Sequence, residues 1–181
     1  DLPLNGRQPL ILMGYGAYGV TSEPAYRAER LAWIDAGGVF AVVNPRGSGV
    51  FGRDWYEAGK GERKPNTWKD TLACAEWLVA NGWTQPQRLG LWGGSAGGVL
   101  AGRAVTERPA QFGAAVIQVG VLDMVRAELE PNGPTNVPEF GSRASEAGFR
   151  ALLAMSTYHQ VKDGTKYPAL LFTHGVNDPR V

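Results

Sequence analysis

A chain of 181 residues with 44% hydrophobic side chains is long enough to bury one sizeable core, and a single domain is predicted. Eighteen Lys and Arg against seventeen Asp and Glu leave a net charge of +1 with no clustered run of either sign, which argues against a nucleic-acid or membrane-surface partner. No stretch approaches the ~18 apolar residues of a membrane span, and the single cysteine, Cys74, cannot form an internal disulfide.

In chain order, short apolar runs bounded by glycine, proline or polar residues alternate with stretches of helical period. That alternation is expected of a parallel sheet covered by helices on both faces. Strands are predicted over Leu10 to Met13, Val39 to Val43, Arg88 to Trp92, Ala114 to Val119 and Ala169 to Thr173. Helices are predicted over Ala25 to Ala36, Thr67 to Asn81 and Ala96 to Glu107, with Gly37 and Gly82 as C-terminal caps. Cys74 falls on the apolar side of the second helix and reads as a small buried hydrophobe. Glu128 to Ser145 breaks the rhythm with its prolines and glycines and reads as a long excursion over the sheet's upper edge.

The chemistry concentrates at Gly93-Gly94-Ser95-Ala96-Gly97, a Gly-x-Ser-x-Gly run between a buried strand and a helix start. A serine on so sharp a turn has strained backbone angles and needs neighbours without side chains, which Gly93 and Gly97 supply. The helix beginning after it directs N–H groups and its positive dipole end toward a developing oxyanion. This is the nucleophile elbow of an α/β-hydrolase, and Ser95 is its predicted nucleophile. The spacing does not fit a dinucleotide loop, no cofactor is expected, and no metal site is predicted at the two histidines. In that fold the acid and the histidine follow the serine on later strand ends. Asp178, after the strand Ala169 to Thr173, is the predicted acid, with Asp123 the alternative. Neither His159 nor His174 suits the base: His174 closes the strand that presents Asp178, and His159 lies upstream of it. The base is expected beyond Val181, so positions 1–181 read as a partial catalytic domain whose last strand and helix are missing.

Five ordered motifs carry a resemblance. They are Gly14-Tyr15-Gly16-Ala17-Tyr18, Asn44-Pro45-Arg46-Gly47-Ser48-Gly49 with Phe51-Gly52, Gly93 to Gly98, Val119-Gly120-Val121-Leu122-Asp123-Met124, and Asp178-Pro179-Arg180-Val181. Together they resemble the catalytic domain of the prolyl oligopeptidase family of serine peptidases. The resemblance implies that the Tyr15 phenol and the backbone N–H of Ala96 form the oxyanion hole, that Arg180 holds a substrate carbonyl, and that Tyr18 lines the pocket for the residue before the cut. Two positions depart from the family's proline-selecting pattern: Ala96 stands where those members have asparagine, and Asn136 where they stack a tryptophan on the substrate proline. A preference for proline therefore does not follow. The family's β-propeller is absent from these residues, although Asp1 to Gly6 resembles the segment entering the catalytic domain.

The expected function is hydrolysis of oligopeptides through an acyl-enzyme on Ser95. The alternatives are a carboxylesterase on the same machinery and an inactive fragment without the triad histidine. Expected partners are a peptide or ester substrate, with self-association through an unpaired sheet edge as a further expectation.

Overall fold

A computed structural model of the chain describes residues 4–178. The five predicted strands are present as β1 (Leu10–Gly14), β2 (Val39–Val43), β3 (Leu89–Gly94), β4 (Ala114–Gln118) and β5 (Ala169–Thr173). They form one sheet, every pairing parallel, in the order β2-β1-β3-β4-β5. The described helices are α1 (Ala28–Asp35), α2 (Arg53–Glu57), α3 (Pro65–Ala80), α4 (Gly97–Glu107), α5 (Met124–Ala127), α6 (Gly133–Phe140), α7 (Glu146–Met155) and α8 (Thr157–Gln160). None is long and apolar enough to cross a membrane.

The period-2 rule sorts the strand side chains. Leu10, Leu12, Leu89, Leu91, Ala115 and Ile117 all fall on one face and are buried in the core with Trp68 and Leu72 of α3 and Val99, Leu100 and Ala104 of α4. Helix α4 seats close to the sheet because its inner residues are small: a Cβ on Gly93 would come within 2.8 Å of the Ala101 Cβ. Cys74 is half-buried against this core, and burial pushes its thiol pKa up, as expected of a packing residue.

Helix α1 lies on the opposite face, over β2. The Arg30 guanidinium sits 4.4 Å from the Phe40 ring centroid, Trp33 Nε1 donates to the Val39 carbonyl at 2.9 Å, and Phe40 meets Trp92 edge-on. Between α1 and β4 this face opens into an apolar cavity of about 440 Å³ lined by Pro9, Ile11, Trp33, Trp92 and Val116. Strand β5 is exposed along its whole length.

Several boundaries differ from the sequence expectation. Strand β3 begins at Leu89 because Pro86–Arg88 forms a 3₁₀ turn, and it continues through Gly94 into the elbow. Strand β4 stops at Gln118 because Val119 turns to φ 43°, out of the extended region. Helix α1 begins three residues late, since Arg27 is still extended, and Ala96 caps α4 without entering it. The largest difference is the Glu128 to Ser145 excursion, whose centre is helical. Pro134 occupies the first turn of α6, where its missing N–H costs nothing, and Pro138 is tolerated inside this short helix.

Candidate active site

The strand order carries the site. The chain leaves β1 for β2 on one side and returns to β3 on the other, so the winding direction reverses between β1 and β3. In open parallel sheets the crevice at the carboxyl ends of such a pair is where ligands bind. Here those ends are Gly14-Tyr15 and Gly94-Ser95.

Ser95 has φ 53°, in the left-handed region that non-glycine side chains rarely adopt. Three backbone bonds fix it there. Its N–H donates to Gln118 O at 2.9 Å, and its carbonyl accepts from Gly98 N at 2.9 Å and Val121 N at 3.1 Å. The flanking glycines are required by close approach. A Cβ on Gly93 would run into the Gly97 carbonyl, one on Gly97 would lie 2.8 Å from Gly14 O, and one on Gly98 would lie 2.5 Å from the Gly120 Cα. The obstacles are backbone, which cannot swing aside. The Ala96 N–H makes no hydrogen bond to any described residue, although Ala96 itself is buried. A buried-region donor with no internal acceptor at the start of an 11-residue helix is the geometry of an anion hole.

Tyr15 reaches the same place from the end of β1. Burial raises its phenol pKa, the nearby Ser95 hydroxyl lowers it, and the Glu139 charge raises it further. The Ser95 and Tyr15 hydroxyls are thus close enough to influence each other, though no hydrogen bond of ordinary geometry joins them. The phenol remains a proton donor at neutral pH. Tyr18, also left-handed at φ 56°, stacks its ring 6.4 Å from Tyr15 and edge-on to Phe140 at 5.8 Å. Its hydroxyl donates to Asn136 Oδ1 at 2.7 Å, tying the β1 turn to α6. Burial is the main cause of its raised pKa, with Tyr15, Glu139 and Tyr56 adding to it.

A cavity of about 520 Å³ beside the elbow is lined by Gly120 to Asp123, Arg126, Asn136, His174 and Asp178. Asp178 sits on the turn after β5, its N–H donating to Gly175 O at 3.4 Å, so the predicted acid and Asn136 border one space, whereas Ser95, Tyr15 and Tyr18 are not among the residues that line it. Arg180 lies outside the described residues.

Asp123, the alternative acid, caps α5 by accepting from Arg126 N at 3.2 Å and lies 3.8 Å from His159 Nδ1. That histidine is engaged by Ser156 Oγ at 2.8 Å. Ser156, His159 and Asp123 thus form a serine-histidine-aspartate cluster, but Ser156 is fully buried and already bonded to the Leu122 carbonyl and Met124 N–H. The cluster ties α8 to the segment after β4, and no substrate can reach its serine.

Two ion pairs beneath the site were missed in the sequence. Arg46 grips Asp70 of α3 through Nε at 2.8 Å and Nη2 at 2.6 Å, holding the Asn44 to Gly49 motif. Lys64 and Glu139, 1% and 2% exposed, meet at 2.9 Å. Glu139 also accepts from the Tyr56 hydroxyl at 2.8 Å. Lys64 sits in the polar run Gly59 to Asn66, which gives no local sign of burial, and its partner is 75 positions away.

The fold recurs in known proteins. The model of the prolyl oligopeptidase family matches residues 24–181. A prolyl endopeptidase of Elizabethkingia miricola is 36% identical over 181 residues, covering 99% of this chain and 26% of the relative. Protease 2 of Moraxella lacunata is 36% identical over 98% of this chain and 26% of its own length. Among solved structures, one from a study of two prolyl endopeptidases superposes with a TM-score of 0.97 at 45% identity, covering 100% of this chain and 27% of that one. Prolyl oligopeptidase B from Galerina marginata superposes at 0.95 and 31% identity, covering 100% of this chain and 26% of its own. The chain therefore spans about a quarter of the length of the curated relatives it matches.

Proposed function

From the premise that this chain belongs to the prolyl oligopeptidase family and has its α/β-hydrolase sheet, we propose that it carries the nucleophile, oxyanion hole and acid of a serine peptidase acting on oligopeptides. The supporting observation is the convergence of Ser95, the unengaged Ala96 N–H and the Tyr15 phenol at the β1–β3 switch point.

In this reading Ser95 Oγ attacks the scissile carbonyl carbon, and the carbonyl oxygen becomes an oxyanion held by the Ala96 N–H and Tyr15 O–H. Collapse of the tetrahedral species expels the amine, which takes a proton, and leaves an acyl-enzyme that water hydrolyses. Asp178 orients and stabilises the imidazole that shuttles the proton. That imidazole is neither His159, which is held by Ser156 and Asp123, nor His174, which joins no described residue by hydrogen bond or ion pair. We place it outside these 181 residues. Tyr18 and Asn136 form a wall of the substrate pocket, and Arg180 binds a substrate carbonyl.

The relatives named prolyl endopeptidases act after proline by name, but the pocket here carries Asn136 and the elbow Ala96. The proposal is peptide cleavage without a proline requirement. Turnover of peptidyl amides and p-nitrophenyl esters by the whole protein that supplies that imidazole tests it. Efficient amide cleavage that disappears in Ser95→Ala supports the peptidase; ester cleavage alone makes the protein a carboxylesterase.

A further inference from the structure

Lys64 and Glu139 are the most deeply buried charges near the site, and they touch neither Ser95 nor Asp178. A buried ion pair is weak support for stability, because an apolar pair of similar volume often does as well or better. What distinguishes this pair is what it binds. Lys64 Nζ donates to the Gly16 carbonyl at 2.7 Å, one residue after Tyr15. It donates a second time to Glu139 Oε1, and it lies 5.1 Å from the Phe140 ring centroid. The other Glu139 oxygen is held by the Tyr56 hydroxyl.

Gly16 cannot retreat from this grip. Its φ is 69°, and its α-carbon is pressed against Thr67 and Pro45, so that an added Cβ would collide with Thr67 Cγ2 and touch Pro45 Cγ at 3.0 Å. The turn is thus clamped by packing on one side and by the ammonium group on the other. The same ammonium leads through Glu139 to α6, which also carries Asn136, the acceptor for Tyr18. Electrostatics couples the same groups: the Glu139 charge adds to the raised pKa of both Tyr15 and Tyr18, and burial lowers the pKa of Lys64 while Glu139 opposes that shift.

We propose that Lys64 and Glu139 are positioning residues for catalysis, fixing the Gly14–Tyr18 turn so that the Tyr15 phenol points at the oxyanion and linking that turn to the pocket wall on α6. The proposal rests on the reading of Tyr15 as an oxyanion donor. It does not require that either charge meet substrate.

The test is a double-mutant cycle in the whole protein, triad histidine included, with kcat expressed per site titrated by a fluorophosphonate so that misfolded molecules are not counted. Glu139→Gln breaks the charge pair, and the double substitution Lys64→Met with Glu139→Leu replaces it by an apolar pair that keeps the fold. Both are expected to lower kcat by about tenfold to a hundredfold, part of the 10²–10³ that a lost oxyanion donor costs, with KM changed less than about threefold. In a Tyr15→Phe background the same replacements are expected to cost less than about threefold, because the group they position is gone. Equal losses in both backgrounds, or an unchanged kcat per titrated site, would overturn the proposal. Absence of any labelling at Ser95 in the unsubstituted protein would instead remove the peptidase reading, and this proposal with it.

Discussion

The Tyr18 hydroxyl donates to Asn136 Oδ1 at 2.7 Å, joining the turn after β1 to α6 across 118 positions of sequence. Asn136 therefore has its amide oxygen occupied and leaves its NH₂ for a ligand. Replacing it by tryptophan would exchange a polar wall for an aromatic face. Asn136→Trp is expected to shift kcat/KM toward peptides with proline before the cut by about tenfold relative to alanine, the scale of one well-packed apolar contact. Competition assays on paired peptides would read the ratio, and no change in it would mean that residue 136 does not contact the substrate.

Tyr15→Phe deletes one oxygen from a half-buried ring and leaves its packing on Tyr18 intact. The expected loss is about 10²–10³ in kcat with KM nearly constant, because the phenol O–H acts on charge that develops only in the transition state. Steady-state kinetics on a peptidyl amide checks this. A rise in KM at constant kcat would assign Tyr15 to ground-state binding.

Ser95 stores strain. At φ 53° a side chain costs about 1–2 kcal/mol that glycine avoids, offset in part by glycine's greater freedom when unfolded. Ser95→Gly is expected to be more stable than Ser95→Ala by about 0.5–1 kcal/mol while both are inactive. Urea melts of the two variants decide it, and equal midpoints would show that the elbow is relaxed.

The excursion has a pH-sensitive anchor. Glu128 accepts from Arg143 N–H and Ser142 O–H, both at 2.7 Å, and these bonds hold its carboxyl below the usual range. Folding thus favours the carboxylate. The stabilisation is fully present above the unfolded value of about 4.3 and fades as pH falls through the lower folded value. Glu128→Gln is expected to cost at most about 1 kcal/mol near pH 7. The gap between the two proteins should close as pH falls through that lower folded value. A gap that persists in acid would mean that the carboxylate charge is not what matters.

How much of this was legible in the sequence depends on whether the signal is local. Ser95, Gly93 and Gly97 announce the elbow because the backbone there tolerates few residues, and the parallel strands announce themselves as apolar runs. Strand β4 ends one residue before the apolar run does, and nothing in Gln118-Val119 signals the left-handed turn at Val119. Pro134 and Pro138 suggested a loop, yet α6 forms because one proline falls in the first turn and the other interrupts a helix held by its neighbours. Lys64 and Glu139 were invisible for the opposite reason to Ser95. Their meaning lies in each other, and each alone reads as a solvated charge.

The central claim is that Ser95 is the nucleophile, and covalent capture tests it most directly. Peptide mapping of the whole protein, triad histidine included, after reaction with a fluorophosphonate is expected to find one phosphonylated site, on the peptide containing Ser95, and none in Ser95→Ala. Labelling that survives Ser95→Ala unchanged, or that falls on another serine such as Ser156, would contradict it.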